Sequence, residues 1–496
     1  ARLAGLCRLW GGVKFCHPYL AYRDIDWDQA LISTLPKIRD ARDSRDYAAA
    51  LEDLLSFLGD KATYIIDDSS TPSVPEKEKA VKESEVKEQP FVTIMDDGTA
   101  VVTATDYIQF DGQIVPYGQM QMRFIQAFSE AAKAEKVILD FRNLSQGYPS
   151  WLLELIISRS FGVLLKEALD LPPTRFIKHR GYVSQKESTS AYHSELCVRA
   201  GGRIPVMSGA GCKTSRFVIL QNERSADFSS IWTAMQNKEL AAVVFEGTVP
   251  NNFGGASMPV DIFPGIRAVI QTAEMLRVDG GSGFLPDLTV DSGALQTGLD
   301  ILSGKKTIKR PMNPESHHPQ SSRLYSVSEK DYVEMSSPDW NYRMLSLFRF
   351  WNVVKYFFPY KDLMNHSWDD VLTEFIPRFS DAEGERAYIM VAAELSTRLQ
   401  DSHVTFNHPV IGEIRGLFGP DLRVDLIEGK TVVTAIGDPE IRKQGLAEGD
   451  IVLTIDGRTS AERRAFLERI TTASTLGRLN NLIDMSFLRG NKDSLC

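Results

Sequence analysis

The chain has 496 residues, 43% of them hydrophobic and 24% charged, with a formal net charge of −9. A chain of that length buries ample core across roughly three or four domains. Its acidic balance, with no basic stripe, argues against a nucleic-acid partner, and it contains no run of about 18 apolar residues that would span a bilayer. The five cysteines (Cys7, Cys16, Cys197, Cys212, Cys496) are scattered and lack metal-ligand spacing. They call for neither a disulfide framework nor a metal site, and no cofactor is expected.

Residues 1–66 read as a helical bundle. Leu6, Leu9, Trp10 and Val13 recur at three- and four-residue spacing, the stripe of an amphipathic helix. Cys7 and Cys16 fall on the same pattern as buried thiols. The first residue already lies in that pattern, so the sequence reads as cut at this end. Residues 67–90 (DDSSTPSVPEKEKAVKESEVKEQP after Ile66) hold almost nothing to bury and read as a solvated linker.

Residues 91–304 change texture. Short β-type runs (Ala100 to Thr103, Val137 to Asp140, Arg216 to Leu220, Ala242 to Phe245) alternate with helical stretches near Gln119 to Lys133, Trp151 to Leu165 and Phe228 to Asn237. Strands alternating with helices imply a largely parallel sheet with helices on its faces. Residues 305–336 are a second linker, in which His317-His318 is a loop feature rather than a metal site. Residues 337–410 return to helical spacing through Leu347, Phe350, Trp351 and Val354. Residues 411–496 hold short strands around Gly445 to Gly457, where Asp456-Gly457 is a hairpin signal. Leu488-Arg489-Gly490 reads as a last strand, and the chain reads as cut there too.

The two helical stretches align without a gap, Arg2 to Tyr64 on Arg343 to Thr405. Trp10/Trp351, Lys14/Lys355, Pro18/Pro359, Trp27/Trp368, Pro36/Pro377 and Asp60/Asp401 keep register. The module ends in Asp60-Lys61-Ala62 in the first copy and in Asp401-Ser402-His403 in the second.

With the module ending in Asp401-Ser402-His403, the strand-loop Val137 to Asn143, the Val218 to Glu223 segment and the Gly445 to Gly457 rhythm, the chain resembles the tail-specific (C-terminal processing) serine proteases, in particular the tricorn-like branch. The resemblance implies an α/β multidomain fold: helical bundles, a crotonase-like (ClpP/crotonase-type) α/β catalytic domain and a PDZ-like β domain. It also implies hydrolysis of polypeptides through a serine acyl-enzyme, with a His activating the serine, a Ser orienting the His and a Glu in support, or with a Ser-Lys pair. Either scheme needs a base beside the nucleophile and backbone donors facing the oxyanion. A protein working outside the cytoplasm is implied as well, though no signal segment is seen.

Carried onto this chain, the family's nucleophile position falls on Asp227, or on Ala226 when counted back from Ala234, with Ser225 and Ser229 close by. The lysine position is Asn251, the His position Ala62, its Ser partner Lys61, and the supporting Glu position Gly280, beside Asp279. Every catalytic position of the first unit departs from the family pattern, as in a degenerate domain. Asn222 to Ser225 and Asp227 can equally be read as caps of the following helix. His179 and His193 offer an alternative base, or are simply satisfied histidines.

In the second half, Ser402-His403 matches the tricorn-like pair, with no nucleophile in the chain; its plain alternative is a helix end. A peptide groove is expected between a strand near Thr431 to Ala435 and a helix near Ala461 to Ile470. Gly416-Leu417-Phe418-Gly419 is its candidate carboxylate-binding turn. The expected partners are polypeptide substrates or peptide C-termini. A non-catalytic peptide-binding scaffold is the competing reading, and the sequence does not give an oligomeric state.

Overall fold

The computed structural model describes residues 1–67, 92–104, 109–110, 113–114, 117–144, 150–180, 193–207, 211–309, 321–325 and 330–491. Positions 68–90 of the first linker and His317-His318 lie outside the described residues. The chain is a mixed α/β, multidomain protein. Its residues divide into two compact units, one comprising Ala1–Gly11, Asp28–Ala50 and Glu329–Cys496, the other Gly12–Trp27 and Leu51–Ser328. The first helical module contributes residues to both units.

That module consists of α1 (Arg2–Cys16), a 3-10 turn at Pro18–Ala21, α2 (Trp27–Asp40) and α3 (Ser44–Ser56), and it leads into strand β1 (Tyr64–Asp67). Leu6, Leu9, Trp10 and Val13 are fully buried, as their helical spacing requires.

The next segment contains β2 (Val92–Ile94), β3 (Ala100–Thr103), α4 (Tyr117–Ala131), β4 (Lys136–Asp140), α5 (Ser150–Phe161), β5 (Thr174–Arg180) and β6 (His193–Arg199). It continues through β7 (Arg216–Asn222), α6 (Ser229–Asn237), β8 (Ala241–Glu246), β9 (Gly255–Phe263), β10 (Ile266–Met275), β11 (Leu288–Val290), α7 (Ala294–Leu302) and β12 (Arg323–Tyr325). A six-stranded sheet runs β11-β8-β7-β4-β3-β2. It is parallel except for the edge strand β2. Strands buried on both faces read as continuous apolar runs, which is why these were visible in sequence. On one face Phe141, Phe161, Phe228 and Trp232 form an edge-to-face cluster with centroids 5.1 to 5.8 Å apart.

A second, antiparallel sheet orders β1-β10-β5-β6-β12, with β9 also on β10. The sequence reading did not contain it, because β9 alternates weakly and much of it is exposed. At its centre the Arg175 guanidinium and Glu274 carboxylate pair at 2.9 Å with both side chains at 0% exposure. Tyr22 closes the network, accepting from Arg175 Nη2 at 2.8 Å and donating to Glu274. A buried ion pair persists only when such extra bonds satisfy its remaining polar atoms.

The other unit holds α8 (Trp340–Phe357), α9 (Trp368–Asp381), α10 (Glu385–Thr397) and α11 (Pro409–Arg415). A small domain follows, with β13 (Leu422–Ile427), β14 (Lys430–Ile436), α12 (Pro439–Lys443), α13 (Ser460–Glu468) and α14 (Leu476–Phe487). The strand expected at Leu488 to Gly490 is replaced by the end of α14. Among the described residues after it only Gly490 pairs, in an isolated bridge with Phe418 whose two bonds are 2.8 and 3.0 Å.

Within this unit α1 and α8 pack through residues that stand opposite each other in the gapless alignment. Arg8 binds Asp369 at 3.0 Å, and its aligned counterpart Arg349 binds Asp28, the counterpart of Asp369. Gly11 lies against its own counterpart Asn352: a Cβ on Gly11 would come within 1.8 Å of Asn352 Oδ1. Asn352 Nδ2 donates to the Cys7 carbonyl at 3.0 Å and to that of Phe348, the position aligned with Cys7, at 2.9 Å.

Glycine inside a helix normally costs about 1 kcal/mol relative to alanine. At Gly11 the sign is expected to reverse. Gly11→Ala should lower unfolding free energy in urea titrations by roughly 1–3 kcal/mol through overpacking against Asn352; an alanine that stabilises would contradict this packing.

Candidate functional site

The loop between β7 and α6 carries the positions picked out in the first unit. Its start is tied to the loop after β4: Asn222 Nδ2 donates to Asn143 Oδ1 at 2.9 Å, and Asn143 N donates to Asn222 Oδ1 at 3.0 Å. Asn143 holds a positive φ of 64°. Arg142 beside it clamps Asp140 and reaches Glu246 at 2.9 Å. The strand-loop motif thus uses its charged residues to brace this end of the parallel sheet.

Ser225 is 5% exposed. Its hydroxyl accepts from Asn222 N at 2.8 Å and donates to Asn222 Oδ1 at 3.2 Å, closing a tight turn. It does not cap α6, whose N-cap is Phe228 with no side-chain bond. The expectation of a cap is met instead by Asp227, whose Oδ1 accepts from Ser229 N at 2.9 Å. Asp227 Oδ2 accepts from Gly254 N at 3.1 Å, so the carboxylate fills two backbone donors at once.

Asp227 borders a cavity of about 620 Å³ that Glu154, Ser229 and Ser230 also line. Ser230 Oγ donates to Glu154 Oε1 at 2.7 Å. Loss of solvent pushes the Asp227 carboxyl above the usual range, against the opposing bonds from Ser229 and Gly254. The Glu154 carboxyl is raised too, first by burial and further by the charge of Asp227. Phe176, Ile177, Met275 and Phe15 supply apolar wall.

His179 and Cys16 line the same cavity. His179 Nε2 contacts the Phe15 carbonyl at 2.6 Å and Nδ1 contacts Ser194 Oγ at 2.8 Å. A carbonyl only accepts, so Nε2 carries the proton and Nδ1 takes the serine hydroxyl. Burial lowers the imidazole's pKa, and its basic nitrogen is already engaged. The Cys16 thiol is pushed up to about 11 by burial, which leaves it a poor nucleophile at neutral pH. The side chain of His193 lies outside the described residues.

The remaining first-unit positions do not line the cavity. Asn251 sits exposed in a turn. Gly280 has a φ of 85° in the turn from Arg277 to Gly281, where Asp279 pairs back onto Arg277 at 3.1 Å. Ala62 is buried, and its N–H donates to Asp60 Oδ1 at 2.9 Å. The next residue, Thr63, accepts from Gln271 N of β10 at 3.0 Å. Ala62 therefore leads directly onto the strand that supplies Thr272 and Ala273 to the cavity.

The sequence reading missed His17. Its Nε2 meets Asp60 Oδ2 at 2.9 Å, with side-chain exposures of 0% and 6%. Burial opposes ionisation of Asp60, but the bond and charge of His17 and the Ala62 N–H outweigh it and hold the carboxyl below its usual range. The signal was present in the alignment, where Asp60 is kept as Asp401 while His17 stands opposite Phe358.

In the second half, His403 N donates to Asp401 Oδ1 at 2.9 Å, the turn seen at Ala62. The imidazole is 96% exposed and its Nδ1 meets Asp401 at 3.0 Å. Ser402 does not orient it: its hydroxyl accepts from Ser474 N, and its N–H donates to Ser474 Oγ, both at 2.9 Å. His403 borders a cavity of about 790 Å³ with Tyr360, Leu363, Leu476 and Leu479.

A groove of the small domain lies between β13 and α14, about 470 Å³ in volume, with Arg423, Asp425, Asn481 and Met485 along it. Leu417 and Gly419 stand at its end. Phe418 N is committed to the Gly490 carbonyl. Gly416, at a φ of 100°, has no room for a Cβ, which would meet Gly490 N at 2.4 Å. The strand Lys430–Ile436 and the helix Ser460–Glu468 do not border this groove. Among the described residues no three His, Cys, Asp or Glu side chains converge as a metal site, and no helix is long and apolar enough to cross a membrane.

No family model and no curated protein matches the chain. Among solved structures it is similar to a lipoprotein from Streptococcus agalactiae, at 11% identity over 62% of this chain and 98% of that one, with a TM-score of 0.33. It is also similar to the photosystem II D1 C-terminal processing protease, at 14% identity over 58% of this chain and 93% of that one, with a TM-score of 0.31. Similarity to mature CPAF, at 14% identity, covers 40% of this chain and 48% of that one, with a TM-score of 0.26.

Two outcomes follow from the carboxyl environments. A carboxyl whose pKa rises on folding costs stability once ionised, so that stability is present below the unfolded value of about 4.3 and lost as pH rises through the folded one. Glu154→Gln is therefore expected to raise the melting temperature at pH 8 and leave it unchanged at pH 4. The opposite pattern would show Glu154 to be stabilised as an anion. Asp60 runs the other way, since its lowered pKa contributes stability above about pH 4 that is lost on acidification. His17→Phe, which copies Phe358, should cost about 1–3 kcal/mol at pH 7 by stranding a buried carboxylate. In denaturant titrations the deficit should shrink as the pH falls below 4; a deficit independent of pH would assign the loss to packing.

Proposed function

We propose that the chain is a polypeptide-binding protein of tail-specific protease descent, built from tandem units of the tricorn-like type, whose first unit does not hydrolyse peptides through a serine. The observation that carries this reading is Asp227. A carboxylate stands at the nucleophile position and already occupies the backbone N–H groups of Ser229 and Gly254. Carboxylate attack on an amide would form an anhydride, which is more reactive than the amide itself. Ser225 is closed into its turn, and the His and Lys positions carry Ala62 and Asn251, so the nucleophile–base pair that acyl transfer needs is missing.

The tandem reading is supported by the reciprocal contacts of Arg8 with Asp369 and of Arg349 with Asp28. Aligned residues that exchange partners in this way form the self-complementary kind of interface found in two-fold dimers. In the second unit His403 is the candidate base, held by Asp401 rather than Ser402. Activity outside the cytoplasm belongs to the same family reading.

A second reading, capture of peptide C-termini, is favoured by β13. Among the described residues it pairs only with β14, so its other edge borders the groove beside Gly416 to Gly419. An extended peptide could add there as a strand with its terminal carboxylate at the glycine turn.

Incubating the chain with a fluorophosphonate probe and with fluorescein-labelled reduced casein tests the main reading. Casein should bind and stay intact, and no serine should be labelled. Labelling at Ser225, Ser229 or Ser230, or cleavage of casein, would overturn it.

A further inference from the structure

The cavity beside Asp227 is chemically lopsided. Glu154 and Asp227 both face it. Among the described residues neither has a lysine or arginine partner; their bonds are to Ser230 Oγ, Ser229 N and Gly254 N. Two recessed carboxylates that share a site repel each other and are costly without a compensating cation.

The one arginine lining the cavity, Arg199, does not serve. It belongs to β6, whereas Gly254 leads into β9, and the ladder β9-β10-β5-β6 separates them. At about 4.8 Å per strand the two backbones stand roughly 14 Å apart, and the bonds of Glu154 and Asp227 among the described residues do not include Arg199. Its guanidinium instead lies over the Phe176 ring, 4.7 Å from the centroid. Beside the carboxylates the wall is apolar, formed by Ile177, Met275 and Phe176.

We propose that this cavity takes the cationic side chain of a bound polypeptide, a lysine or arginine, with its alkyl stem along Ile177, Met275 and Phe176 and its charged head between Glu154 and Asp227. Long basic side chains suit such a site because their methylene stems bury well while the head keeps polar partners. The inference rests on the polypeptide-binding reading and adds the substrate class. Glu154 then costs the free protein stability because its charge is matched only in the complex, a common trade between stability and function.

The test uses the full chain and two fluorescein-labelled unstructured peptides, identical except that one carries a central lysine and the other norleucine, which keeps the stem and lacks the charge. The lysine peptide should bind at least about tenfold more tightly by fluorescence anisotropy, as a charge-assisted contact allows. Glu154→Gln and, separately, Asp227→Asn should each remove most of that difference and leave norleucine binding unchanged. A single cooperative melting transition in each would show that both variants fold, and Glu154→Gln keeps the acceptor for Ser230 should Asp227→Asn not fold. Equal affinity for both peptides overturns the cation assignment while leaving polypeptide binding in place. Binding of neither peptide overturns both, and a lysine preference that survives both variants places the cation elsewhere.

Discussion

The close crossing of α1 and α8 at Gly11 and Asn352 sets the order of one of the two units. With no side chain on one helix and a short amide on the other, the backbones come near enough for Asn352 Nδ2 to bond carbonyls of both helices. The Arg8–Asp369 pair, with a third or more of each side chain exposed, contributes little by itself, about 0–1 kcal/mol. Arg349 and Asp28 are more deeply buried, at 17% and 12%, and their role is closer to fixing register than to adding net stability. The same helix that gives Arg8 and Gly11 to this unit gives Phe15 and Cys16 to the other.

The other unit contains two contrasting treatments of buried charge. Arg175 and Glu274 are fully enclosed, and each is satisfied by the other and by Tyr22. Glu154 and Asp227 are recessed without a cation. The first arrangement holds a sheet together. The second is tolerable in a free protein only with raised carboxyl pKa values, which is the direction both show, and perturbed acids in a cavity mark binding or catalytic sites. Asp227 also accepts from two backbone donors, Ser229 N and Gly254 N, so both are already engaged.

Much of the architecture was legible in the sequence. The strands at Val137 to Asp140 and Arg216 to Leu220 stood out because burial on both faces made them unbroken apolar runs. Helical spacing around Trp10 and Trp351 gave the bundles for the same reason. The antiparallel sheet around Gly255 to Met275 was not legible, since one exposed face and a glycine-rich start dilute the two-residue alternation. The groove between β13 and α14 was not legible, since only tertiary packing puts α14 beside β13. At the candidate site the sequence located Asp227 but missed Glu154, which lies far away in the chain with nothing local to mark it. His17 was overlooked although its partner Asp60 had been aligned. The Ser402-His403 reading erred on the orienting group, because a serine adjacent in sequence found Ser474 while the carboxylate two positions before the histidine turned back onto it.

The pairing of the helical modules is the claim on which the tandem architecture stands, and a charge-exchange cycle across Arg8 and Asp369 tests it most directly. Arg8→Asp and Asp369→Arg should each lower unfolding free energy by placing like charges opposite each other. The double variant restores an opposite pair in reversed order but leaves Lys355, 3.3 Å from Asp369, facing a cation, so it should regain part of the loss, with a favourable coupling of about 0.5–1 kcal/mol. Losses that simply add in the double variant would mean that the two side chains do not face each other, and the reciprocal pairing of the modules would be contradicted.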